Sequence, residues 1–86
     1  MQKVTIYTRP MCAFCTRALA LLKQKGVETE EISAGFDKEK RDEMLARSNG
    51  LHTFPQIFIG ENHVGGCDEL FALEKAGDLD PLLNGQ

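Results

Sequence analysis

The apolar positions of this chain change period several times, and each change marks an element. Val4-Thr5-Ile6-Tyr7-Thr8 alternates in the manner of a strand, and Arg9-Pro10-Met11 breaks it with a proline loop. Beyond the loop the period becomes helical. Cys15, Leu19 and Leu22 fall four and three apart, with Ala18 and Leu21 widening the stripe, which predicts a helix running to about Lys25. Gly26 offers the left-handed residue that ends it, and Lys23 and Lys25 complement the negative helix end.

Val27 to Ser33 is a weaker strand, interrupted by three glutamates, and a polar loop with Gly35 follows. Asp37 to Ser48 predicts a second helix with Met44 and Leu45 on one side, closed by Asn49-Gly50. Pro55 introduces the strong strand Gln56-Ile57-Phe58-Ile59, Gly60-Glu61-Asn62 turns the chain into a short strand at His63-Val64, and Gly65-Gly66 is expected to break it. Asp68 to Ala76 predicts a third helix with Leu70, Phe71 and Leu73 available for packing. Gly77 ends it, and Leu79 to Leu83 adds a final turn. The order is β-α-β-α-β-β-α. A leading βαβ unit implies parallel strands joined by a right-handed crossover, and the short turn implies an antiparallel hairpin in the same sheet. The fold class is therefore α/β, a four-stranded mixed sheet flanked by helices.

At 86 residues with 42% hydrophobic side chains, one domain spanning residues 1–86 is expected. No apolar run approaches the ~20 residues of a membrane span, and the N-terminus lacks the apolar stretch of a secretory signal. The expectation is a cytoplasmic protein with no membrane partner. A net charge of -3 on mixed charges gives no basic stripe and argues against nucleic acid. Three cysteines, an odd number, do not close a disulfide framework, and in a reducing compartment a close pair points to catalysis or metal binding. His52 and His63 have no spacing to each other or to the cysteines that makes a zinc site, so no metal is expected.

The chemistry lies at Cys12-Ala13-Phe14-Cys15, at the start of the first helix. Unpartnered N–H groups and the positive helix end stabilise a thiolate there. Cys12, with Arg9 nearby, is expected to be the more acidic and exposed sulfur, the combination that makes a cysteine reactive. A thiol lowered from about 8.5 to about 5 gains roughly 30-fold in thiolate at pH 7, yet loses roughly 50-fold in nucleophilicity at a Brønsted slope of about 0.5. Attack gains nothing from such a shift. Its benefit is in departure, when the sulfur is expelled from a mixed disulfide.

A Cys-x-x-Cys after the first strand of this order reads as a thioredoxin-like redox motif. Together with Thr53-Phe54-Pro55-Gln56-Ile57-Phe58-Ile59 and Gly65-Gly66-Cys67-Asp68-Glu69, the Tyr7-to-Cys15 segment resembles a glutaredoxin of the dithiol type, over essentially the whole chain. Ala13 and Phe14 stand where that family usually has proline and tyrosine, and Phe54 where it has valine. The resemblance implies a thioredoxin-like fold and a glutathione-disulfide oxidoreductase that reduces glutathione mixed disulfides and protein disulfides. Cys12 would be the nucleophile and Cys15 the resolving thiol.

The resemblance also implies a glutathione site drawn from Tyr7, Arg9, Phe14, Arg41, Thr53, Phe54, Pro55, Gly66, Cys67 and Asp68. A cis Phe54-Pro55 bond would turn the Phe54 N–H and C=O towards the peptide. The N–H groups of Cys67 and Asp68 at a helix start would bind a carboxylate, Asp68 would accept from the glutathione amine or else cap its helix, and Arg9 and Arg41 would pair with the glycine carboxylate. Tyr7 would bring its hydroxyl near the sulfurs or serve packing alone. Glutathione is then the reducing cosubstrate, no cofactor is tightly bound, the partners are glutathionylated or disulfide-bonded proteins, and the protein is a monomer. Two alternatives stay open: a dimer bridged by a [2Fe–2S] cluster, and a redoxin fed by thioredoxin reductase.

Overall fold

The computed structural model describes residues 1–85. The strands are β1 (Val4–Thr8), β2 (Thr29–Ser33), β3 (Gln56–Ile59) and β4 (Asn62–Gly65), and the helices are α1 (Ala13–Gln24), α2 (Lys38–Arg47), α3 (Cys67–Ala76) and α4 (Leu79–Leu83). They form one sheet in the order β2-β1-β3-β4. β1 and β2 are parallel, as the βαβ unit requires, whereas β1–β3 and β3–β4 are antiparallel. This is the mixed sheet that the element order implies.

Alternation along the central strands divides the core between the two faces of the sheet. Val4, Ile6, Ile57 and Ile59 go to one side, where Ala18, Leu21 and Leu22 of α1 and Leu70 of α3 meet them, with Leu79 and Leu83 of α4 closing the layer. Tyr7 and Phe58 go to the other side, against Met44 of α2 and Ala34. The central strands are buried on both faces and so read as near-continuous apolar runs. The glutamates of β2 have a different cause: β2 is an edge strand, and Glu30 and Glu31 lie exposed, where charge discourages pairing with another chain.

Several boundaries differ from the sequence reading. Val27 is buried but precedes β2, which starts at Thr29. Leu19 is only half-buried, so the inner stripe of α1 is Cys15, Ala18, Leu21 and Leu22. Gly65 does not break β4. It pairs with Ile57 beside a register shift at Ile57/Phe58, and its φ of +114° carries the chain into α3.

Candidate active site

Cys12 is the N-cap of α1. Its backbone is extended, at φ -112° and ψ 103°, and the side chain folds back over the helix end, where Sγ accepts from the Cys15 N–H at 3.2 Å. The preceding residue, Met11, makes the bend with φ +56° and leaves its own side chain fully in solvent. An exposed Cys12 is therefore corrected. Because the sulfur turns inward onto the helix, the residue is 7% exposed, little more than the 3% of Cys15.

Cys15 points to the inner face of α1. Burial pushes its thiol up to about 12, since a thiolate there forgoes hydration. The hydrogen bond with Cys12 acts in the same direction, and the Arg9 backbone N–H opposes it. Cys15 is thus a thiol throughout the neutral range, beside a Cys12 sulfur that already receives a helix N–H. No disulfide joins the three cysteines in this structure.

A groove of about 280 Å³ lies alongside, lined by Phe14, Thr53, Phe54, Pro55, Gly66, Cys67, Asp68 and Glu69. Three separate parts of the sequence form it. α1 contributes Phe14, about half exposed; the loop before β3 contributes Thr53 to Pro55, with the Phe54-Pro55 peptide cis; and the start of α3 contributes the rest. Phe54 also packs against the Tyr7–Met44 cluster. Cys67 is 4% exposed, and burial raises its thiol while the Arg17 charge opposes the shift.

The cap of α3 is Gly66, so Asp68 does not cap the helix. It stands in the first turn with its carboxylate exposed. The Gly66 N–H donates to Glu69 Oε1 at 2.6 Å, which leaves the N–H groups of Cys67 and Asp68 as first-turn donors with no intrahelical carbonyl. Glu69 also explains Gly65: a Cβ there would lie 2.9 Å from Glu69 Oε1 and 3.0 Å from its Cγ. The sequence reading names Glu69 only as the end of the Gly65-to-Glu69 segment and not as a site residue, although a glutamate three residues after a cap is half of a capping box and signals this bond.

Tyr7, Arg9 and Arg41 do not line the groove. Tyr7 is fully buried on the α2 side, where its hydroxyl donates to the Glu43 carboxylate and accepts from Arg47 Nη1 at 2.9 Å. Burial, then the Glu43 hydrogen bond, raises it above the usual tyrosine range, while Arg47 opposes. Its hydroxyl is therefore directed away from the sulfurs. Arg9 is exposed on the loop before Cys12 and packs tightly on Gly35, where a Cβ would fall 2.7 Å from Arg9 Cβ. Arg41 Nη1 donates to the Gly35 carbonyl at 3.0 Å. The two arginines thus meet around Gly35, outside the groove lining.

Comparison with known proteins agrees along the chain. A family model described as Glutaredoxin matches residues 4–64. A probable glutaredoxin of Synechocystis sp. is 56% identical over 82 residues, covering 95% of this chain and 93% of the relative. The solution structure of a glutaredoxin from Brucella melitensis is 59% identical with a TM-score of 0.82, covering 96% of this chain and 89% of that one. The crystal structure of a buckwheat glutaredoxin–glutathione complex is 26% identical with a TM-score of 0.84, covering 95% of this chain and 76% of that one.

Proposed function

We propose that this chain, which belongs to the glutaredoxin family, reduces glutathione mixed disulfides with glutathione as cosubstrate and, with both thiols of its pair, reduces protein disulfides. Thiol-disulfide oxidoreduction is the general activity of the family. The finer reading is carried by one observation: the groove runs from the cysteine end of α1, past Thr53-Phe54-Pro55, to the open N–H groups of α3. A glutathionyl group laid along it has its sulfur at Cys12 and its γ-glutamyl carboxylate at the Cys67 and Asp68 N–H groups. The Phe54 N–H takes part in no backbone hydrogen bond among the described residues and is free to pair with the peptide. Arg9 and Arg41 lie beyond the groove lining around Gly35, and in this reading the glycine end of glutathione extends past the lining towards their charge.

The Cys12 thiolate attacks the glutathione sulfur of the mixed disulfide. A Cys12–glutathione disulfide forms, the original S–S bond breaks, and the protein thiolate leaves and takes a proton. A glutathione thiolate then attacks the glutathione sulfur, releasing oxidised glutathione and the Cys12 thiolate, whose departing charge meets the Cys15 N–H. On a protein disulfide the first attack leaves a mixed disulfide with Cys12. Cys15 attacks the Cys12 sulfur and expels the substrate as a dithiol, with the Cys15 proton passing to the departing sulfur. Two glutathione molecules return the Cys12–Cys15 disulfide to dithiol and leave as oxidised glutathione.

The test is turnover by Cys15→Ser on a glutathionylated peptide, with glutathione and glutathione reductase as the sole reducing system. Sustained turnover is expected, because glutathione itself resolves the intermediate. Absence of turnover in both the variant and the folded parent would refute the proposal.

A further inference from the structure

Gln56 opens β3 at 1% exposure, and the disulfide chemistry makes no use of it. A buried side-chain amide must find partners for its donors and acceptor, and here they lie in two directions. Gln56 Nε2 donates to the Thr53 carbonyl and to Thr53 Oγ1, both at 3.0 Å. Oε1 lies 2.7 Å from His63 Nε2. Since a carbonyl oxygen only accepts, the amide nitrogen must face Thr53 and the amide oxygen must face His63. This orientation assigns the hydrogen of the contact to His63 Nε2, which donates.

The donors therefore run in one sense, from His63 on edge strand β4, through Gln56, to Thr53 in the wall of the groove. The far end is held by packing. The His63 ring stacks on Phe58 at 4.8 Å and 26°, and Phe58 in turn has the Arg47 guanidinium 4.2 Å from its centroid. At the near end, no other hydrogen bond among the described residues reaches the Thr53 side chain or carbonyl. Without Gln56 this part of the wall, one residue before Phe54-Pro55, has no polar anchor.

We infer that Gln56 and His63 are positioning residues, His63 acting through Gln56 to hold Thr53 where the groove receives glutathione. The inference rests on the glutathione reading of that groove. Neither residue touches the reacting sulfurs, so their effect falls on binding. Bonds polarised in series reinforce one another, which is why a change at exposed His63 reaches the wall at all.

The informative variants are at position 63, because an exposed residue can change without unfolding the chain. His63→Phe keeps an aromatic ring over Phe58 and removes the donor, whereas His63→Gln restores a donor. Three quantities are read: KM and kcat on a glutathionylated peptide, the Kd of the unreactive thioether S-methylglutathione, and the Thr53 amide chemical shift. His63→Phe is expected to raise KM and Kd about two- to tenfold, the range of one neutral hydrogen bond, with kcat nearly unchanged. It should also move the Thr53 shift, and His63→Gln should return all three towards the parent. Unchanged KM and Kd in His63→Phe, or a fall in kcat alone, would overturn the inference. Should the parent protein itself fail to bind S-methylglutathione, the glutathione reading is lost. The Thr53 shift then decides separately: unmoved in His63→Phe, it refutes the relay, and moved, it upholds control of the wall by His63.

Discussion

Replacing Cys15 by serine tests the asymmetry between the two sulfurs directly. Burial, with the Cys12 hydrogen bond adding to it, holds the Cys15 thiol at about 12. At pH 9.5 such a group is ionised to about 0.3%, whereas a thiol at the ordinary value of about 9 is ionised to about three quarters. Cys15 therefore contributes almost nothing to the thiolate absorbance at 240 nm up to that pH. The single tyrosine is raised by its burial and is present in both proteins, so its contribution cancels in the comparison. The amplitude between pH 5 and 9.5 should be the same in the reduced parent and in Cys15→Ser. Loss of most of a thiolate equivalent on substitution would show that burial does not keep this sulfur protonated. A stability consequence has a definite sign. A thiol raised on folding lends its stability fully below the unfolded value of about 9 and forfeits it progressively as pH climbs towards 12, so the reduced fold weakens on the alkaline side.

Leu70→Ala removes a fully buried side chain of α3 from the larger core layer and should cost about 2–5 kcal/mol in urea unfolding, a large share of the ~5–15 kcal/mol of a small domain. A cost below about 1 kcal/mol would show that α3 packs more loosely than described. Gly65→Ala meets two obstacles, a φ of +114° and the Glu69 side chain at 2.9 Å, and should destabilise by at least about 1 kcal/mol. Glu69→Ala removes the Oε1 and Cγ contacts and also the Gly66 N–H bond, so Gly65→Ala is measured against Glu69→Ala; its cost should shrink there but keep the φ part, and a cost of zero in that background would show that the backbone cost is negligible.

Local pattern was enough to read the elements, because strands buried on both faces and helices with one apolar stripe leave different periods in the sequence. The cysteine pair at a helix start was legible for the same reason, being written in consecutive residues, whereas the cis Phe54-Pro55 bond was expected only from the resemblance to glutaredoxins. What local pattern does not encode is the destination of a side chain. Tyr7 has one hydroxyl, and its partners are 36 and 40 residues away on α2, so only the docking of that helix reveals that it turns from the sulfurs to Glu43 and Arg47. Arg41 is similar, since its bond to Gly35 depends on how the loop after β2 folds back over Arg9. The burial of Cys12 depended on one side-chain rotation over a helix end, which composition cannot supply.

Strand direction is what assembles the site. β1 delivers the chain to Cys12 at its C-terminal end, and because β3 is antiparallel to β1, with Gln56 opposite Tyr7, the loop before β3 arrives at that same end. β4 reverses again, so Gly65 stands opposite Ile57 and α3 starts beside Pro55. Had β3 run parallel to β1, its leading loop would lie at the other end of a five-residue strand, roughly 15 Å away. The Cys12 end of α1 could then not have met Thr53-Phe54-Pro55. The same reversal places His63 across from Phe58, on the sheet face that also carries Gln56, which is how an edge-strand histidine reaches the groove wall through one amide. The chemistry of the site is local to three short segments, but their meeting is a property of the sheet, and a residue that alters pairing at β3 changes the site without touching it.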